Sequence, residues 1–327
     1  MKYRTLGKTG FEVSEISLGT WQVGGGWGGE FDHDVADDIL ATAVENGVNF
    51  IDTADVYGDG ESEKAVGRLL RNRSDRIHFA TKCGRRLDPH TNAAYTTKAL
   101  RGFVEESLSN MDVDTIDLIQ LHCPPPGVYY RPEIFEEFDK LKDEGKIRNL
   151  GVSVEKVEEA LKAIEYPNVT TVQIIFNMLR QRPKELFFPE ARKRNVGIIV
   201  RVPLASGLLS GKFTRETTFQ EGDHRYFNRD GSAFDRGETF AGLDFEVGLD
   251  IVEELKRAFP DYVLAQLALR WILMFDEVSC IIPGASKVSQ VQSNVEASEL
   301  DPLSHEEMSR IEKIYNDRVK EHVHHLW

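Results

Sequence analysis

Cysteine is scarce in this sequence: three in 327 residues, at Cys83, Cys123 and Cys280, with no C-x-x-C pair. An odd, sparse count argues for free thiols in a reducing compartment rather than a disulfide framework. On that reading the sequons Asn72-Arg73-Ser74 and Asn168-Val169-Thr170 carry no glycan. Long apolar runs are missing too. The longest, VLAQLALRWILMF (263–275), contains Arg270 and is too short to span a bilayer. The opening MKYRTLGKTG has no apolar core of a signal peptide, so a cytoplasmic location is expected. Positive charge is short: 40 Lys and Arg against 54 Asp and Glu leave a net charge of −14. That balance argues against nucleic acid or an anionic membrane as a main partner. It also makes any anionic cofactor depend on a local basic cluster.

What is present is 41% hydrophobic and 29% charged, which suits a globular protein with a full core. One domain over residues 1–327 is expected, with no linker and no repeat beyond a βα unit. Short β-branched runs recur as EISLGT, VNFIDT, IHFATK, TIDLIQLH, IRNLGVS, TTVQIIF, VGIIVRV and VSCIIPG. Amphipathic segments alternate with them, among them VADDILATAVENG, EKAVGRLL, TKALRGFVEESLSNM, FEEFDKLKDEGK and EKVEEALKAIE. Short apolar strands alternating with helices imply an α/β fold whose parallel sheet is buried on both faces. Eight such units predict a closed (β/α)8 TIM barrel. YRTLG and EVSEI, around Lys8-Thr9-Gly10, predict an N-terminal β-hairpin ahead of it. Residues 204–245 are rich in Gly, Asp and Arg and lack periodicity, which predicts a long loop after strand seven.

One glycine-rich stretch invites a different reading. Gly24, Gly26 and Gly29 fit G-x-G-x-x-G, and Asp52 stands roughly 20 residues on, where a dinucleotide-binding fold places its ribose-binding acid. The surroundings oppose it. Glu30, Asp32 and Asp34 crowd the start of the next helix, so a phosphate there meets like charge. The stretch reads instead as a βα loop at the catalytic face, with Trp21 and Trp27 beside a substrate pocket.

In a barrel, chemistry sits at the C-terminal ends of the strands. Those ends supply Asp52 after strand two, with Tyr57 five residues on, Lys82 after strand three and His122 after strand four. Pro124-Pro125-Pro126 then force the chain out of that strand. A free tyrosine has a pKa near 10. A neighbouring Lys⁺ is expected to lower it, and a buried Asp to hold the Lys charged and in place. A neutral His can donate a hydrogen bond to a substrate oxygen. The four form a general-acid site for a carbonyl that accepts hydride. Cys83 and Cys123 follow Lys82 and His122, and strand alternation is expected to turn both away from the pocket.

With these residues the sequence resembles the aldo-keto reductases. The resemblance runs through LGTW (18–21), FIDTADVYGDGESEKAVG (50–67), the Lys82 strand, IDLIQLH (116–122), GVS (151–153), VQIIFN (172–177), PLASGLLSGK (203–212) and IPGASKVSQVQSNVEA (282–297). It implies a (β/α)8 barrel, NADPH/NADP as cofactor and reduction of aldehydes or ketones. It implies Tyr57 as general acid, with Asp52, Lys82 and His122 completing a tetrad. It also implies cofactor contacts from Thr20, Trp21, Asp52, Ser153, Gln173 and Arg201. Further contacts are implied from Pro203, Leu204, Ser206, Leu208, Ser210 and Lys212, and from Gly284, Ser286, Lys287, Gln290 and Asn294. The glycines of PLASGLLSGK allow close backbone approach, with Lys212 near a pyrophosphate. A phosphate beside Gly284, Ser286 and Lys287 meets a helix N-terminus and a cation, which favours NADPH over NADH.

The sequence departs from the family pattern in places. Arg201 stands where many members carry an aromatic residue against the nicotinamide. Its guanidinium can stack there and disfavour the positively charged oxidised ring, or it can pair with an acid. Val154 and Ser293 replace residues that are polar or acidic in some members. The tail HVHHLW brings His322, His324 and His325 together, as a solvated tail or a metal site, and Trp327 is a candidate cap on the substrate pocket. No metal is expected. Two further functions stay open: a nucleotide-sensing subunit with little turnover, like the β subunits of potassium channels, and a Schiff-base aldolase using Lys82. Loops 21–33, 83–95, 123–130 and 204–245 are expected to shape the pocket for a small carbonyl substrate.

Overall fold

Tyr3–Thr5 (β1) and Glu12–Ser14 (β2) pair antiparallel, the hairpin expected from the sequence. Its turn presses against the barrel floor. Gly7 has φ +50°, and a Cβ there would lie 2.1 Å from the Gly197 nitrogen, so only glycine fits. Leu6 and Val13 plug the interior beneath Phe50, Ala80, Leu118, Ile199, Cys280 and Ile282. The computed structural model describes residues 1–25 and 30–327. Gly26, Trp27 and Gly29, on which the fingerprint and pocket readings of that stretch partly rest, lie outside the described residues.

The barrel strands are Leu18–Gly19 (β3), Phe50–Asp52 (β4), His78–Cys83 (β5), Ile116–His122 (β6), Ile147–Ser153 (β7), Val169–Ile175 (β8), Gly197–Arg201 (β9) and Val278–Ile281 (β10). They run parallel in that order. Single bridges from Ile16 to Ile281 and from Gly19 to Gly284 close the ring. Every residue of β6 and β8 is buried, apolar and polar alike, as in a sheet covered on both faces.

Helices His33–Glu45 (α1), Glu61–Arg71 (α2), Thr97–Met111 (α3), Pro132–Asp143 (α4), Val157–Ala163 (α5) and Phe187–Lys193 (α6) follow the strands in turn. Asp32 caps α1 by accepting from the Val35 amide at 3.0 Å, and Asp34 lies in its first turn. That helix end is therefore already supplied with acid, as the sequence suggested. After β9 the chain makes short turns, including His224–Phe227 (α7), before Phe245–Ala258 (α8), Leu264–Ile272 (α9), Val288–Glu296 (α10) and His305–Ile314 (α11). Among the described residues no helix is long and apolar enough to cross a membrane.

The segment between β9 and α8 has its own polar skeleton. Buried Asn228 accepts from the Ala233 and Phe234 amides, both at 3.0 Å, and donates to Thr239 Oγ1 at 3.3 Å. Trp327 fastens its far side. The indole nitrogen donates to Asp235 Oδ1 at 2.8 Å, the Arg180 guanidinium lies 4.2 Å from the ring centre, and Gly237 and Gly242 leave room for the ring. Trp327 is thus buried beneath this segment and does not border the substrate pocket, which corrects the capping expectation. The HVHHLW stretch is also only partly solvated: His324 bonds Tyr315 at 2.8 Å and approaches Glu185 at 3.1 Å. Trp327→Ala is expected to loosen the segment, raising KM for the carbonyl several-fold with a smaller change in kcat; unaltered steady-state kinetics would reject this anchoring role.

Candidate active site

Asp52, Lys82 and His122 stand at the ends of β4, β5 and β6, which are neighbours in the barrel. Tyr57 follows β4 in a turn whose Gly58 and Gly60 have φ +59° and +86°. Lys82 is fully buried and binds Asp52 Oδ1, the Thr53 carbonyl at 2.8 Å and the Tyr57 hydroxyl at 3.4 Å. Asp52 Oδ2 accepts from Gln120 at 2.9 Å and from Gln173 at 2.8 Å. The carboxylate is thereby fixed in both directions across the barrel. The Tyr57 and His122 rings meet edge to face at 6.0 Å.

The electrostatics follow from burial and these partners. Burial favours a neutral amine at Lys82, but Asp52 and Tyr57 outweigh it and hold the ammonium above its ordinary value. A lysine kept protonated is no nucleophile, which speaks against Schiff-base chemistry. Burial, with Arg85, Lys82 and Arg201 nearby, holds His122 well below the imidazole range, so it is neutral. Its Nδ1 is buried without a hydrogen-bond partner. Tyr57 departs from expectation. Burial pushes its hydroxyl above the ordinary phenol value, and Lys82 only partly offsets this, since Asp52 and Glu238 push the same way. Tyr57 therefore keeps its proton at neutral pH, which a proton donor needs.

These groups open onto a cavity of about 880 Å³. Of the residues singled out for cofactor contact, Thr20, Trp21, Asp52, Gln173, Arg201, Pro203, Leu204, Ser206, Ser210, Lys212, Gly284, Ser286, Gln290 and Asn294 line it. Three do not. Leu208 is buried and packs against Gly248 in the core. Ser153 lies behind Gln173, donating to its Oε1 at 3.4 Å. Lys287, the residue preceding α10, is exposed beside the lining residue Ser286. Gln290 Oε1 accepts from both the Ser286 amide at 2.7 Å and its hydroxyl at 3.1 Å, and Asn294 bonds the Gly284 carbonyl at 3.4 Å. The first turn of α10 carries no acid. No residue of loop 123–130 is among the described residues that line the cavity; Val128 and Tyr129 are buried in the core instead.

Sequence reasoning missed the other polar pole of the cavity. Arg85, Glu238 and Arg201 line it, and Glu155 lies behind them. Arg201 approaches Glu155 at 3.0 Å and Glu238 at 3.6 Å; Arg85 approaches Glu155 at 3.7 Å and Glu238 at 3.4 Å. Each arginine thus faces both glutamates. Of the two possibilities for Arg201, pairing with acid is the one realised. Burial and Glu238 push Glu155 up to about 8. Cys123 stays off the cavity wall, as expected, though not by strand alternation. With φ +47° it leaves strand geometry, and its thiol turns toward Ser153 Oγ at 3.6 Å and Arg201 at 3.5 Å. Cys83 is buried in the outer core, as alternation predicted. Donor atoms of Cys123, Glu155 and Glu238 lie within 4.8 Å of one another, but the two arginines among them oppose a cation there.

The sequence pattern of the Aldo/keto reductase family matches residues 15–316. Aldo-keto reductase YhdN of Bacillus subtilis (strain 168) is 33% identical over 303 residues, covering 90% of this chain and 87% of that protein. The NADH-specific methylglyoxal reductase of Escherichia coli (strain K12) is 28% identical over 315 residues, covering 91% and 93%. Glycerol dehydrogenase AKR11B4 from Gluconobacter oxydans superposes with a TM-score of 0.78 at 32% identity, over 97% of this chain and 96% of that one. The chain belongs to the aldo/keto reductase family, oxidoreductases that act on small carbonyl compounds with nicotinamide cofactors.

Proposed function

We propose that this protein reduces aldehydes or ketones to alcohols with NADPH, and that Tyr57 is the proton donor. The observation that carries the reading is the Tyr57 hydroxyl, still protonated, lying 3.4 Å from a Lys82 held by Asp52, at the wall of a cavity shared with neutral His122. The residues present fit the dinucleotide. One cleft joins the tetrad to Ser286, Gln290 and Asn294, Lys212 stands on its wall, and no acid occupies the first turn of α10.

When bound, the reduced nicotinamide supplies the hydride that turns a carbonyl carbon into an alcohol carbon. His122 orients the carbonyl oxygen by donating a hydrogen bond. Tyr57 gives its proton to that oxygen as negative charge develops. Lys82 stabilises the phenolate left behind, and Asp52 keeps Lys82 charged. Gln173, on the cavity wall, holds the far carboxylate oxygen of Asp52. Arg201, Pro203, Leu204, Ser206 and Ser210 form the wall after β9, and Thr20 and Trp21 line the cavity after β3.

The testing experiment follows NADPH oxidation with a panel of aldehydes and ketones. Turnover of ordinary carbonyls supports the reading, whereas tight NADPH binding without turnover would move the assignment to a nucleotide-sensing subunit. The preference for NADPH rests on exposed Lys287, beside Ser286 and the open end of α10. Lys287→Met is expected to lower the ratio of kcat/KM for NADPH to that for NADH by about tenfold, one charge-assisted contact. A wild-type ratio near one would overturn the preference.

A further inference from the structure

The cavity has two unlike faces around the reacting position. One is aromatic: Trp21 lies 5.8 Å from the Tyr57 ring, 5.5 Å from His224 and 6.3 Å from Phe234. The other is the Arg85–Glu238 pair, presented by the loop after β5 and by the short turn Arg236–Glu238. Both terminal nitrogens of Arg85 reach the same Glu238 oxygen, each at 3.4 Å, so these are long contacts with donor capacity left over. Ser206 Oγ donates to the Glu238 backbone carbonyl at 2.6 Å, which fixes the backbone there, and Phe234 lies under the Arg85 guanidinium at 5.5 Å.

We propose that Arg85 and Glu238 determine specificity by reading a hydroxyl group next to the substrate carbonyl. The preferred class is hydroxylated aldehydes and ketones, and this rests on the carbonyl-reducing function proposed above. An acid and a cation side by side select among substituents. A substrate carboxylate is drawn by Arg85 and Arg201 but meets like charge at Glu238. An ammonium meets Arg85 and Arg201. A hydroxyl satisfies both members of the pair, accepting from Arg85 and donating to Glu238. A plain alkyl group desolvates the pair and returns no hydrogen bond, and a site built to bond a hydroxyl rejects the analogue that lacks it. The aromatic face covers the substrate's carbon skeleton.

The test compares kcat/KM for hydroxyacetone and acetone, a pair differing by one hydroxyl, in wild type, Arg85→Met and Glu238→Gln. Because both ketones are measured on the same preparation, the ratio is unaffected by any loss of folded protein. Wild type is expected to favour hydroxyacetone by at least about tenfold, and each substitution to collapse that ratio severalfold toward one. A wild-type ratio near one, or a ratio that survives both substitutions, overturns this assignment while leaving the reductase reading intact. Absence of turnover with every carbonyl in the wider panel overturns the reductase reading itself, and this one with it.

Discussion

Tyr57→Phe is expected to lower kcat for carbonyl reduction by about 10²–10⁴-fold, the usual cost of losing a positioned acid, while NADPH affinity holds. The phenyl ring keeps the contacts with Trp21 and His122, so the hydroxyl and its contact with Lys82 are what is removed. The pH profile carries the same signature. The donor must be protonated for reduction, so wild-type kcat/KM falls as pH rises through the Tyr57 pKa. Burial holds that value above the ordinary phenol range, which places the fall above about pH 10. In the variant this limb disappears. Stopped-flow or steady-state NADPH oxidation, with binding followed separately, measures both. A variant within about tenfold of wild type would assign the proton elsewhere.

Asp52→Leu is the second large effect, and it is read in stability. Asp52 and Lys82 are both buried, and removing one partner leaves an uncompensated charge in the barrel mouth. The expected loss is about 3–5 kcal/mol by urea denaturation, together with loss of activity. Lys82→Met behaves likewise. The double variant Asp52→Leu/Lys82→Met recovers much of the stability and none of the turnover, since an apolar pair replaces a buried ion pair at little cost. Recovery is incomplete, because Gln120 and Gln173 lose their shared acceptor. A single variant destabilised by less than about 1 kcal/mol, or a double variant no better than the worse single one, would reject this view of the pair.

The parts of this molecule that were legible in the sequence are those fixed by local pattern. Strands buried on both faces show themselves as apolar runs, and all eight were readable. A barrel places strand ends together, so Asp52, Lys82 and His122 could be gathered from their positions alone. The Tyr57 pKa could not, because a neighbouring cation is visible in sequence while burial is not. The Arg85–Glu155–Arg201–Glu238 cluster was equally hidden. Its members come from four separate segments, and no spacing links them. Trp327 and Asp235 stand 92 residues apart and meet only through tertiary packing. The end of the aperiodic stretch, read at residue 245, coincides with the start of α8 at Phe245.

The barrel's ring is unevenly sewn. β3 pairs with β4 through two residue pairs, and on its other side the chain meets the β10 segment through the isolated bridges Ile16–Ile281 and Gly19–Gly284, with backbone bonds from Ser17 to Ile281, from Ile281 to Glu15 and from Gly19 to Pro283. Gly19 is pressed so close to the Ile282 carbonyl that a Cβ there would lie 2.8 Å from it. The cavity straddles this seam, with Gly19, Thr20, Trp21 and Gln22 on one lip and Ile282, Pro283 and Gly284 on the other. A molecule seated across both lips therefore acts as a stitch, supplying cohesion where the backbone ladder is thinnest. Occupancy and local opening are then opposing states of one equilibrium: the seam that yields to admit a ligand is the seam the ligand holds shut, and amide protons at Ser17 and Gly19 exchange more slowly once it is in place.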